Sequence, residues 1–273
     1  MSVLICPLCA SALQETPKEA FCAHHHHFDR ARQGYLNLLQ KQGSGRHGDD
    51  RCMVQARRHF LSKGYYAPLA RQVAELVGRV FPAQGVLLDV GCGEGYYTEQ
   101  VYETLRAQGK EPQLTCLDIS KEAAKWMARR PFPQTTVVAS AFHLPIASAS
   151  CDLLLNLFAP IAPQEFARVL KPEGLLLRVV PQERHLYGLK LCLYDKPYEN
   201  PPVEQALEGF VPVERSRLDG SLHLDDPADI LALFQMTPYY YKTSRQDQQR
   251  LAQCKTLDTE LSFALLLDRK AKT

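Results

Sequence analysis

Asp89-Val90-Gly91-Cys92-Gly93-Glu94-Gly95-Tyr96-Tyr97 follows the apolar run Val86 to Leu88. An apolar run that ends in alternating glycines reads as a buried parallel strand turning sharply into a helix, where bare amide groups can meet a ligand. A dinucleotide site spaces its glycines Gly-x-Gly-x-x-Gly, so that a pyrophosphate meets the helix N-terminus. Here Gly91, Gly93 and Gly95 are one residue tighter, and Asp89 opens the turn with a carboxylate. A fixed negative charge at that place favours a cation bearing hydrogen-bond donors. S-adenosylmethionine, with its ammonium and sulfonium, is such a ligand. Thr115 to Ser120 reads as the next strand, and Asp118 near its end is placed to accept from both hydroxyls of a ribose. Dinucleotide folds share that second device, so the pair of acids carries more than Asp118 alone.

The chain has 273 residues, enough for one large domain with a small appendage. Hydrophobic residues at 45% and charged residues at 23% are those of an ordinary globular protein. No apolar run approaches the roughly 20 residues of a membrane span. Met1 to Cys6 has neither a basic leader nor a long apolar stretch, so the expectation is a cytoplasmic protein with no membrane partner. In that compartment the 9 cysteines stay reduced, and their clustering matters more than their number. Net charge is +2, yet residues 1–72 hold 10 Lys/Arg against 5 Asp/Glu and 6 of the 9 histidines. A basic, histidine-rich front end on a slightly acidic body suits a polyanionic partner, with solvated surface charge as the bland alternative.

Within that front end, Cys6-Pro7-Leu8-Cys9 precedes Cys22 and the run His24-His25-His26-His27. Two close-spaced cysteines and a distant second pair supply the four tetrahedral ligands of structural zinc. Spacing favours Cys6, Cys9, Cys22 and His26, and the run leaves His25 and His27 as substitutes. A redox Cys-x-x-Cys is the rival, but it belongs at a helix start in a thioredoxin-like unit, and no such unit surrounds it. A closed set of this kind folds its module and performs no chemistry. Gly43, Gly45 and Gly48 among polar residues then mark a linker. Arg51 to Leu61 is predicted helical. A second helix opened by Pro68 shows Leu69, Val73, Leu76, Val77 and Val80 at helical spacing. The predicted divisions are 1–40, a metal-binding module; 41–72, linker and connecting helix; and 73–273, the body.

The body alternates strand and helix. Tyr97, Val101 and Leu105 share one helical face, and Ser120 caps the helix of Ala123, Ala124, Met127 and Ala128. Strands are predicted at Thr135 to Ala139, Cys151 to Leu157 and Gly174 to Val180, with Val211 to Arg217 and Glu260 to Leu267 as a closing pair. Unbroken Leu153-Leu154-Leu155 is what helices on both faces require.

Asp89 to Gly95, Asp118, Leu144-Pro145, Asp152 and Arg168-Val169-Leu170-Lys171-Pro172-Glu173-Gly174 resemble, in order, the motifs of class I S-adenosylmethionine methyltransferases. With the Cys6 to Cys9 start, Phe28-Asp29, Gly34 to Leu39, Gln55-Ala56-Arg57-Arg58, Arg184-His185-Leu186 and Gln235-Met236-Thr237-Pro238, nearly the whole chain is similar to the 23S ribosomal RNA guanine-N1 methyltransferases. The resemblance implies an α/β fold: a Rossmann-like class I methyltransferase sheet, mostly parallel with an antiparallel last strand, plus a small N-terminal zinc-binding domain. It also implies a homodimer acting on a guanine in a 23S ribosomal RNA hairpin. Carried over, the zinc ligands fall on Cys6, Cys9, Cys22 and His26. The cofactor contacts fall on Tyr66, Gly93 with Glu94, and His185, beside Asp89, Gly91, Gly95 and Asp118 of the loop and second strand. Two positions depart from the superfamily pattern. Ser140-Ala141-Phe142 stands where many relatives place an acid for adenine, and Glu173 replaces a glycine before the fifth strand.

Guanine N1 bears a proton at neutral pH and lies on the base-pairing edge. The enzyme must therefore accept that proton or stabilise O6, and must take a looped or flipped base. Asn156 is a candidate for orienting the base edge and Phe158 for stacking on it; no general base stands out. Lys41, Arg46, Arg51, Arg57 and Arg58 are the candidate RNA-facing residues. Two rivals remain: a small-molecule methyltransferase whose zinc module serves folding, and a non-catalytic RNA-binding assembly factor.

Overall fold

The computed structural model describes residues 2–39 and 48–272. Lys41 and Arg46 lie outside the described residues. The N-terminal module holds β1 (Leu13–Glu15), β2 (Glu19–Cys22) and β3 (His27–Asp29), a small antiparallel sheet, followed by β4 (Leu36–Asn37). Next come α1 (Arg51–Ser62), α2 (Ala67–Val80), β5 (Gln84–Val90), α3 (Tyr96–Ala107), β6 (Glu111–Asp118), α4 (Lys121–Met127) and β7 (Thr135–Val138). The second half comprises β8 (Cys151–Leu157), α5 (Pro163–Val169), β9 (Leu170–Pro181), α6 (Tyr187–Leu193) and β10 (Phe210–Leu224). It ends with α7 (Pro227–Gln235), α8 (Tyr239–Lys242), α9 (Arg245–Leu251) and β11 (Leu257–Lys270). Among the described residues no helix is long and apolar enough to cross a membrane.

The large sheet runs β10-β11-β9-β8-β5-β6-β7-β4. Neighbours from β9 to β4 are parallel, while β11 runs against both β9 and β10. Alternation along the central strands divides the core: Leu87, Leu153, Leu155 and Leu177 face α2 and α3, and Leu88, Val90, Leu154 and Leu176 face α5. The first of these cores also takes Ala56, Phe60 and Leu61 of α1, so that helix packs as part of the body. The N-terminal module joins the other face through Val3, Leu4 and Leu13, with Ile5 N–H donating to Pro145 at 2.9 Å. Its β4 becomes the sheet's last strand, Leu36 opposite Val137 and Asn37 opposite Val138.

Local chemistry explains the helix that borders the loop. The Asp50 carboxylate caps α1 by accepting from Met53 N–H at 3.0 Å. At the other end of α1, Asp229 of α7 is 1% exposed and accepts from His59 Nε2 at 2.8 Å, Lys63 Nζ at 2.7 Å and the Tyr65 hydroxyl at 2.5 Å. Burial alone would raise that carboxyl, but the donors from Lys63, Tyr65 and His59 hold it below the usual range. Asp229→Ala is expected to cost about 2 kcal/mol, because the partners it abandons are half exposed and can rehydrate. Urea unfolding of both proteins measures this, and equal midpoints would refute it.

Candidate functional site

The strand-to-helix turn is built as its glycines require. Gly91 has φ +83°, and a Cβ there would fall inside the volume of the Ala159 methyl group. Gly93 has φ +57°, and a Cβ there would meet only Arg57 Nη1, at 3.9 Å. One glycine therefore serves packing, whereas the other bounds free space at the carboxyl ends of the strands, where open α/β sheets bind ligands. Asp118 closes the second side. Its Oδ2 accepts Gly93 N–H at 2.9 Å and its Oδ1 accepts Ser120 N–H at 2.8 Å, while burial raises its pKa.

Asp89 is 3% exposed and accepts from Thr98 Oγ1 at 2.6 Å. Burial pushes its carboxyl up to about 7, against the Thr98 hydrogen bond. The folded chain thus holds this proton more tightly than the unfolded chain does, so stability falls as pH rises from about 4 to about 7. Asp89→Asn should flatten that fall. Thermal melts of both proteins at pH 5 and pH 7 measure it, and equal slopes would refute it.

Glu94 is buried, its carboxylate ion-paired with Arg130, which also donates to the Glu94 carbonyl at 2.9 Å and meets Glu99 at 2.5 Å. Any contact from Glu94 to a ligand therefore falls to its backbone. Tyr66 and His185 stand in an aromatic wall centred on Phe263. The ring of His185 lies 4.4 Å from it, that of Tyr66 5.3 Å and that of Phe158 5.6 Å, with Tyr97 6.0 Å from Phe158. His185 Nδ1 accepts Ser262 N–H at 3.3 Å, which places the ring proton on Nε2. Burial lowers its pKa to about 3, so the ring is neutral.

Phe158 is 44% exposed and has φ +57°, a conformation that bulky residues avoid. Asn156 is turned inward, 1% exposed. Its Nδ2 donates to Pro160 at 3.2 Å and to Val90 at 3.4 Å, and its Oδ1 is buried without a partner. The side chain thus braces the Phe158 to Pro160 loop against the end of β5. Arg57 is also redirected: it is ion-paired with Asp49 and donates to the Met236 carbonyl at 3.3 Å, beside Gly93. Arg51 is exposed at the start of α1. Ser140 Oγ accepts Phe142 N–H at 3.2 Å, and Glu173 takes φ +64°.

In the N-terminal module the ligand atoms of Cys6, Cys9, Cys22 and His26 lie within 4.8 Å of one another. His26 Nδ1 is 3.4 Å from both Cys6 Sγ and Cys22 Sγ, and Cys9 Sγ is 3.7 Å from Cys22 Sγ. Tetrahedral zinc with ordinary bond lengths requires edges of about 3.8 Å between sulfurs and about 3.5 Å from sulfur to nitrogen. The donor set therefore fits zinc. His27 Nδ1 is instead 2.8 Å from Glu19. The Ser11 hydroxyl, 3.0 Å away, heads the contacts that hold Cys9 at about 5, ready as a thiolate.

Four contributors lack a sequence signal. Phe263 sits in a leucine-rich strand, Arg130 and Asp49 read as surface charge, and Ser11 lies outside the ligand spacing.

The fold and this strand-end site define a class I methyltransferase body carrying a small Cys3His module. The methyltransferase-domain family model matches residues 88–178, and the zinc-ribbon model described as RlmA, N-terminal, matches residues 4–44. The solved structure of BH2331 from Bacillus halodurans C-125 shares the fold, with a TM-score of 0.50 at 14% identity over 73% of this chain and 99% of that one. A 23S rRNA (guanine(748)-N(1))-methyltransferase of Streptomyces fradiae is 34% identical, covering 82% of this chain and 81% of its own. YxjB of Bacillus subtilis, named for the same kind of activity, is 30% identical over 98% of both chains. The chain belongs to the 23S rRNA (guanine-N1)-methyltransferase family.

Proposed function

We propose that this protein transfers the methyl group of S-adenosylmethionine to N1 of a guanine in a hairpin loop of 23S ribosomal RNA, as a homodimer whose N-terminal module is folded by Zn2+. The observation that carries the proposal is the open space over Gly93, bounded by Asp118 and the aromatic wall, with an exposed Phe158 at its rim. The bound cofactor supplies an electrophilic methyl on a sulfonium. The chain supplies position and a dry environment, which is most of what an in-line displacement needs.

With the Gly93 N–H taken by Asp118, the Glu94 N–H is the loop amide that faces the cofactor, and Asp118 has lone pairs left for the ribose. Asp89 sits beneath the loop, where a nearby cation favours its charged form. Neutral His185 offers Nε2–H to a carboxylate without adding positive charge beside the sulfonium, and Tyr66 closes the wall. Phe158 stacks on the guanine while Asn156 acts through the loop it braces.

Stacking on an aromatic side chain contributes about 1–3 kcal/mol per base. Phe158→Gly is therefore expected to lower kcat/KM for RNA by roughly tenfold or more, while cofactor affinity stays and the relaxed backbone keeps the fold. Unchanged turnover would remove the stacking role. The function itself is tested by mapping N1-methylated guanines in ribosomal RNA from cells with and without this gene; an identical map refutes it. Cofactor binding without RNA affinity would favour a small-molecule methyltransferase, and RNA binding without methyl transfer an assembly factor. Light scattering of the purified protein checks the dimer.

A further inference from the structure

Two guanidiniums from separate segments meet at one indole near the cofactor loop, and a third lines a cleft with one of them, all without a carboxylate partner. Arg58 of α1 lies over the Trp126 ring of α4, 3.4 Å from its centroid, and Arg129 lies 5.3 Å from the same centroid. Arg129 also lines a surface cleft of about 460 Å³ with Arg32 and Gln33, from the turn that precedes β4. That turn is seated on the end of α4, Gly34 against Ala128. The immediate neighbours behave differently, since Arg57 is paired with Asp49 and Arg130 with Glu94. Among the described residues, Arg32, Arg58 and Arg129 form no ion pair.

A guanidinium stacked on an indole is held in place and remains weakly hydrated, so little ordering is left to lose when it binds an anion. Two guanidiniums held at that indole and a third lining the same cleft as Arg129, all uncompensated, attract a polyanion. With Trp126 engaged by arginines, the face favours phosphates over bases. It also borders the cradle, because Arg57 reaches Gly93 while the next residue, Arg58, covers Trp126.

We propose that Arg58 and Arg129 at Trp126, with Arg32 across the cleft from Arg129, form a clamp for the phosphodiester backbone of the RNA strand that flanks the methylated base. This rests on the RNA-methyltransferase function proposed above. The clamp straddles the seam between the N-terminal module and the body, so both hold the same strand.

The experiment measures binding of a 23S-derived hairpin RNA to the full-length dimer or monomer as purified, from 50 to 300 mM salt, for the parent, Arg32→Ala, Arg129→Ala, the double variant and Arg129→Lys. Each lost arginine should lower the slope of log affinity against log salt by about 0.7–0.9. The double variant should raise KM for RNA roughly tenfold or more near 150 mM salt, with kcat and cofactor affinity retained. Arg129→Lys should restore the slope. Parent-like slopes and affinity in the double variant would overturn the clamp while leaving RNA methylation standing. A parent protein that binds no RNA would overturn both.

Discussion

Cys22→Ser is expected to reduce RNA methylation more than 100-fold, on the order of what loss of a folded recognition module entails, while affinity for S-adenosylmethionine falls far less. The module's strands are only 3, 4 and 3 residues long, and such a sheet cannot sustain itself. Structural zinc supplies about 10–16 kcal/mol in comparable small modules. Removing one of four ligands forfeits much of that and frees the Arg32 turn. The cofactor cradle rests instead on β5, β6 and α3, packed in the larger core. Zinc content, methyl transfer to RNA and calorimetric cofactor titration should be measured together. A zinc-free Cys22→Ser protein with parental turnover would sink the idea, as would a metal chelator that strips the zinc without effect.

The second large effect separates two glycines of the loop. Gly91→Ala places a methyl group against Ala159 and forces an L-residue into the left-handed region. Backbone strain of about 1–2 kcal/mol and overpacking of about 1–3 kcal/mol add to a loss of roughly 2–5 kcal/mol. At about 2–4 °C per kcal/mol for a chain of this size, its Tm should drop by roughly 4–20 °C. Gly93→Ala suffers the strain alone, yet its methyl group enters the space left for the cofactor. That variant should stay folded and bind S-adenosylmethionine roughly tenfold or more weakly, by the loss of close approach to the backbone. Parental cofactor affinity in Gly93→Ala would show that the ligand rests elsewhere.

Much of this architecture was legible in the chain. Period and punctuation located the strands of the central sheet and the order Asp89, Gly91, Gly93, Asp118, since a buried parallel sheet leaves unbroken apolar runs closed by turn residues. The metal quartet was legible because short cysteine spacing is rare by chance. Other features depend on the tertiary fold. The edge pairing of Leu36–Asn37 with Thr135–Val138 spans two residues and has no periodicity to read. Arg57 resembles any solvated charge of a helix until Asp49 and Gly93 appear beside it, and Asn156 resembles a turn former until its amide is found between Val90 and Pro160. Phe263 gives no sign that it centres a wall, because it opens the apolar run Phe263 to Leu267, in which a ring reads as core.

The placement of β4 has a further consequence for the resting molecule. A parallel sheet that stopped at β7 would present a free row of amides and carbonyls, the template on which strands from other molecules assemble. Leu36–Asn37 covers the end of that rim, and it follows the candidate metal ligand His26 by only about ten residues, a short tether whose closure costs little entropy. Loss of the zinc proposed for that quartet is therefore expected to bare an adhesive border, so that the metal-free protein should aggregate as well as lose RNA methylation.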